Sequence, residues 1–217
     1  MPNCLVTICG INFDVIQEKI NMRTIRLFAE STSSDFFKNK ADAIKKQINS
    51  ATKAQLSDEG YKSSIIRTNK LTLPTLDTDN LEKEMIEKEV SISLYPPTFD
   101  FGGRSHTNAK AVLYKIPYKG DLTLLELRPS RFSSGGVGVA EVDDSGKRIV
   151  FEFINIDNNP ENIRNQYNTT LGKFSSHYTQ LESEIKQWNQ DLDALVTNEI
   201  NKRNEGLNRD NDFLDKL

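Results

Sequence analysis

The amino-acid sequence predicts an α+β fold: an antiparallel sheet, one helix packed on it, and a long C-terminal amphipathic helix of coiled-coil character. Three observations carry this. Short alternating apolar runs separated by turn residues crowd the middle of the chain. An apolar stripe at helical spacing runs from Phe37 to Ala51, and a second, unbroken one runs from Tyr167 to Leu195.

In chain order, the stretches Cys4 to Ile16 and Ile20 to Phe28 alternate as two opening strands. Ser31 to Ser34 form a capping cluster before Asp35, and Phe37, Ala41, Ile44, Ile48 and Ala51 then step by four and three, predicting a helix from about Ser34 to Ala51. Tyr61 to Leu73 reads as a strand ending at Pro74. The charged run Leu81 to Glu89 reads as a short helix, with Leu81 and Met85 on one face, passing into a strand at Val90 to Leu94 that Pro96 and Pro97 stop. Ala111 to Tyr118, Leu122 to Leu127, Val137 to Val142 and Arg148 to Ile156 read as four sequential strands. Their short connections require antiparallel pairing, because parallel strands need long crossovers.

Asn159-Pro160-Glu161 opens the last helix with a cap, a proline at the first position and an acid in the first turn. Tyr167, Leu171, Phe174, Tyr178, Leu181, Ile185, Trp188, Leu192 and Leu195 then alternate spacings of four and three, a filled heptad seam. An end at Gly206 gives a helix of roughly 65 to 70 Å at 1.5 Å per residue. This organisation divides the chain into a mixed sheet unit, 1–157, and a helix with its tail, 158–217. Aromatic residues at several seam positions, together with Gly172 and the Thr169-Thr170 pair, are unlike a two-stranded zipper, so the first half is expected to fold back on the sheet and the distal half to face a partner. Phe174, Tyr178, Leu181, Ile185, Trp188, Leu192 and Leu195 are the expected interface residues.

Charge and cysteine content narrow the class. The formal net charge is -3, and the two cysteines, Cys4 and Cys9, share one strand-like run where a bridge would oppose an extended backbone, so free thiols of a reducing compartment are expected. With no leader-like opening and no apolar run approaching the roughly eighteen residues of a membrane span, the expectation is a cytoplasmic protein. High Asn, Lys and Ile content with little alanine suggests an AT-rich bacterial genome. One segment is basic: between Gly102 and Arg131 there are 6 Lys and Arg against 2 Asp and Glu.

Chemical motifs are sparse. Ser133-Ser134-Gly135-Gly136-Val137-Gly138 has phosphate-loop composition, but it leads into a strand and not into a helix bearing Lys-Ser/Thr, so an inter-strand loop is expected. Asp100, Asp121 and Glu126 lack the spacing and the lysine of a nuclease metal clamp. With His106 and His177 the only histidines, no Ser, His and Asp set stands out, and no metal, cofactor or catalytic residue is assigned. Arg104, Arg128 and Arg131 are the candidate anion-binding residues, since guanidinium forks match phosphate and carboxylate. If Leu122 to Leu127 is a strand antiparallel to the one before it, these loops meet at one sheet edge.

Leu94-Tyr-Pro-Pro97, Val112-Leu-Tyr-Lys-Ile-Pro-Tyr-Lys-Gly-Asp121 and Leu127-Arg-Pro-Ser-Arg-Phe132 resemble a segment of uncharacterised bacterial proteins. In those proteins the segment precedes a restriction-endonuclease-like domain, and a long helix joins the two. The resemblance runs from about Leu94 to the end. It implies an accessory or N-terminal module of an antiviral defence-type protein and transfers no active site. Phe213-Leu-Asp-Lys-Leu217, closing in mid-pattern, fits a chain that continues. The expected function is a non-catalytic interaction or assembly module, with another protein chain or domain as partner and homo-oligomers among the possibilities. The alternatives are an anion or nucleic-acid sensor using the basic segment, and a hydrolase or nuclease whose site is not legible.

Overall fold

A computed structural model describes residues 22–131 and 136–215; the expected strand from Cys4 to Ile16, with both cysteines, lies outside them. The fold is α+β, as the sequence predicts. β1 (Met22–Leu27), β5 (Gly138–Asp143), β6 (Arg148–Asn155) and β4 (His106–Lys119) lie side by side in that order, all antiparallel. On its outer side β4 pairs with both β3 (Glu82–Ser91) and the two-residue β2 (Thr75–Leu76).

Several sequence expectations are corrected. Ile92–Leu94, expected to complete a strand from Val90, form a single 3-10 turn once the strand ends at Ser91. Tyr61 to Asn69 is helical: α3 (Glu59–Asn69) starts at Asp58, whose carboxylate accepts from the Gly60 amide at 2.8 Å, and buries Ile65. The adjacent Ile65 and Ile66 suggest a strand, but the aspartate cap and Glu59 in the first turn outweigh two β-branched residues. The charged run from Glu82 is strand β3 and not a helix. It lies along β4 and exchanges ion pairs on the sheet face, Lys88 with Glu152 at 2.7 Å, Arg148 with Glu82 at 2.8 Å, and Lys115 with Glu84. Leu122–Glu126 is a 3-10 helix capped by Asp121, which accepts from the Thr123 amide at 2.9 Å. Leu122, Leu124, Leu125 and Leu127 are all buried, and the spacing of three between Leu122 and Leu125 suits 3-10 geometry, not an alternating strand.

That short helix reroutes the chain. Leaving β4, it crosses the sheet to β1, where the Phe28 amide donates to the Leu125 carbonyl at 2.7 Å and the Arg128 amide to the Ser31 carbonyl at 2.9 Å. β5 then enters beside β1.

α1 (Ser33–Asn49) matches its expected position, with Thr32 as cap, and α2 (Lys53–Leu56) follows with a capping box at Thr52 and Gln55. α4 (Pro160–Leu214) has 55 residues, about 82 Å at 1.5 Å per residue. It runs through Gly206 instead of stopping there, since a single glycine costs a helix only about 1 kcal/mol. α4 belongs to two cores. Ile163, Phe174, Leu181 and Ile185 pack with one face of the sheet and the 3-10 helix; Leu192, Val196 and Ile200 pack with Ile44 and Ile48 of α1, Leu56 of α2 and Ile65 of α3. Leu207 still touches the second core and Asn208 accepts from Lys53 at 3.3 Å, so only the last two turns reach past the body.

Candidate interaction surface

The seam of α4 is filled by this chain's own elements. Leu181 is fully buried, Phe174, Ile185 and Leu192 nearly so, while Tyr178, Trp188 and Leu195 are half-buried at its margins. The marginal residues have defined partners. Trp188 stacks on Phe37 with ring centroids 5.4 Å apart and donates from Nε1 to the Asn69 carbonyl at 3.0 Å. The Tyr178 hydroxyl donates to the Pro74 carbonyl at 3.0 Å. Asn189 pairs with the backbone of Leu71 in both directions: its Oδ1 accepts from the Leu71 amide at 2.9 Å and its Nδ2 donates to the carbonyl at 2.8 Å. Three side chains of one helix face thus fasten the stretch 69–74 alongside it. A cleft of about 900 Å³ opens beside this seam, between the stretch and Glu182, Lys186 and Gln190 of α4.

Glu184 is a second fastening point. It accepts from the Ser33 hydroxyl, from the Ser130 hydroxyl at 2.7 Å and from the Ser130 amide at 3.1 Å, and also takes a bond from Gln180 at 3.1 Å. Burial pushes its pKa up, but the bonds from Ser33, Ser130 and Gln180 outweigh burial and hold the carboxyl below its ordinary range. The first turn of α1 and the loop after the 3-10 helix are therefore tied through one carboxylate on α4.

Arg104 is not placed with Arg128 and Arg131 at one sheet edge. Arg104 sits two residues before the start of β4, whereas Arg128 follows the 3-10 helix that leaves the other end of that 14-residue strand. The edge argument that would unite them needs Leu122–Glu126 to be a strand. Arg128 instead belongs to the β1 side of the sheet, its backbone bonded to Ser31 and Ser33, and Arg104 and Arg131 are exposed.

In the glycine-rich loop, Ser133 to Gly135 lie outside the described residues. Gly136 lies against β1: the next amide, of Val137, donates to the Leu27 carbonyl at 3.0 Å, and a β-carbon at Gly136 would overlap that same oxygen. Close backbone approach accounts for this glycine. Asp100 and Asp121 cap local turns, and Glu126 lies 4.0 Å from Arg23. Among the described residues no group of three or more His, Cys, Asp or Glu side chains is placed to hold a metal ion, and no helix is long and apolar enough to cross a membrane.

The connection from β3 to β4 carries a feature that sequence reasoning missed. Tyr95, Phe99 and Phe101 form an aromatic cluster with ring centroids 5.0 Å to 6.1 Å apart, yet Phe99 is 47% and Leu94 51% exposed. The backbone beneath is well tied. Ile92 donates to Ser105, Phe99 to Pro96 and Arg104 to Phe101, and Gly102 and Gly103 take positive φ to close the turn. Beside the cluster a cleft of about 450 Å³ is lined by Leu94, Tyr95, Pro96, Ile154, Ile156 and Asn162. The signal available in the sequence was three aromatics within seven residues, with Pro96-Pro97 after the first and Gly102-Gly103 after the last.

Comparison of the chain with protein-family models, with curated proteins and with solved structures finds no match.

Proposed function

We propose that the chain is a non-catalytic interaction and assembly module that offers the aromatic connection between β3 and β4 to another protein chain. One observation carries this reading: apolar side chains kept at the surface on a well-tied loop, Leu94 and Phe99 foremost, next to an apolar cleft. Exposed apolar patches on folded proteins concentrate at contact sites, and aromatic anchors supply most of the energy there. α4 enters this reading as a spine that holds sheet and helices rigidly together, because its seam is already occupied.

A photo-crosslinking residue at Phe99, compared with one at Glu182 on the exposed face of α4, tests the proposal in cells. The expected result is one discrete protein adduct at Phe99 that is absent at Glu182 and is abolished by Leu94→Asp, with the melting temperature of that variant within a few degrees of the parent. No adduct at Phe99, or equal labelling at both sites, overturns it.

A further inference from the structure

Among the described residues β3, a ten-residue strand, has a neighbour on one side only. It pairs with β4 along its whole length, and among the described residues its outer edge is unpaired. Long free edges invite pairing with another chain, and charged residues are the usual deterrent. Here the charges are ordered: Glu82-Lys83-Glu84-Met85-Ile86-Glu87-Lys88-Glu89, symmetric in sign about a central apolar pair, with Met85 60% exposed.

We infer that β3 pairs antiparallel with β3 of a second copy, with Met85 opposite Met85 on the two-fold axis. In that register Glu82 faces Lys88 and Lys83 faces Glu87, each pair occurring twice by symmetry, and no like charges meet. Residues directly opposite share a sheet face, so Lys83, Met85 and Glu87 meet on one face and Glu82 and Lys88 on the other. Glu87 has no hydrogen bond or ion pair among the described residues, which leaves its carboxylate available to the second copy.

The alternatives are worse. A one-residue slip puts Glu82 against Glu89, Lys83 against Lys88 and Glu84 against Glu87, all like pairs, which destabilise when directly opposed. A register centred on Ile86 pairs Lys83 with Glu89 and Glu84 with Lys88, but it sets the apolar Met85 against the Glu87 carboxylate on both sides of the axis. The Met85 register alone buries the exposed methionine against its own copy. Charges that repel most pairings therefore admit this one, and the continuous sheet is an isologous dimer.

The inference deepens the assembly reading but uses a different surface, so the two fail separately: a strictly monomeric chain ends the dimer and leaves the Phe99 crosslink as it was. The test is sedimentation of the full chain over a concentration series at low salt. A reversible dimer is expected that weakens as salt is raised. Lys83→Glu and Glu87→Lys each turn two attractive pairs into repulsive ones and should raise the dissociation constant about tenfold or more. Mixing the two variants should restore the dimer. In the mixed pair the glutamate introduced in one copy faces the lysine introduced in the other, and the unchanged Glu87 of the first faces the unchanged Lys83 of the second. Glu89→Lys, opposite Leu81 in this register, should leave association unchanged. A monomeric parent overturns the inference, as do single variants that associate like the parent, a mixture that stays monomeric, or loss of association in Glu89→Lys with retention in Glu87→Lys.

Discussion

Glu184 and Asn189 are polar residues on the face of α4 that touches the rest of the protein, and each holds backbone or side chains from segments far away in sequence. Because the folded carboxyl of Glu184 titrates below its ordinary value of 4.5, its stabilisation is complete above that pH and is lost as the pH falls through the lower folded value. Glu184→Gln is thus expected to lower the melting temperature near neutral pH and to flatten the fall in stability below about pH 4.5; thermal melts across an acid series check this. Asn189→Leu removes both bonds to Leu71 and leaves a half-buried amide and carbonyl to find water. The expected loss is about 1 to 3 kcal/mol in urea unfolding. Gly136→Ala should destabilise comparably or more, since the new methyl meets the Leu27 carbonyl and not a side chain that can turn away. None of these roles was legible in the sequence. A glutamate or asparagine on a helix face reads as solvated until the distant segment it meets is known.

At the scale of elements, α4 departs instructively from its heptad reading. A repeat of 3.5 residues leads from Leu192 to Leu195, but a straight helix turns every 3.6, and its buried line drifts toward the next residue. Past Leu192 the buried positions are Val196 and Ile200, while Leu195 moves to the margin. Val196→Asp is expected to cost several kcal/mol by placing a charge among Ile44, Ile48 and Ile65, and Leu195→Asp markedly less; paired denaturation curves decide. α1, α4, β4, β5 and β6 carry strong periodicity and clear caps or turns, and they lie where the sequence put them, except that α4 runs on past Gly206 to Leu214 and β4 begins at His106. α3, β3 and the 3-10 helix were misread because their deciding features are tertiary: β3 is a strand only because β4 and Glu152 lie beside it, and Leu125 turns inward only because β1 waits at Phe28.

Over the whole molecule, one 55-residue helix serves two cores that share little else, the sheet core through Phe174, Leu181 and Ile185 and the helical core through Leu192, Val196 and Ile200. The two surfaces proposed above for partners, the aromatic connection and the β3 edge, both lie on the strand pair β3 and β4, and neither lies on the seam. The antiparallel sheet, the long helix and the packing of its first half on the sheet follow the sequence expectation, whereas the distal half, expected to face a partner, packs on α1, α2 and α3, because heptad spacing alone does not say whether a helix meets its own chain or another. The double variant Ile185→Asp, Leu192→Asp measures this most directly, by thermal unfolding and light-scattering mass on the same sample. The predicted result is loss of the cooperative transition, because each charge enters one of the two cores. A variant that keeps the parental melting temperature and loses only mass would contradict it and return the seam to a partner chain.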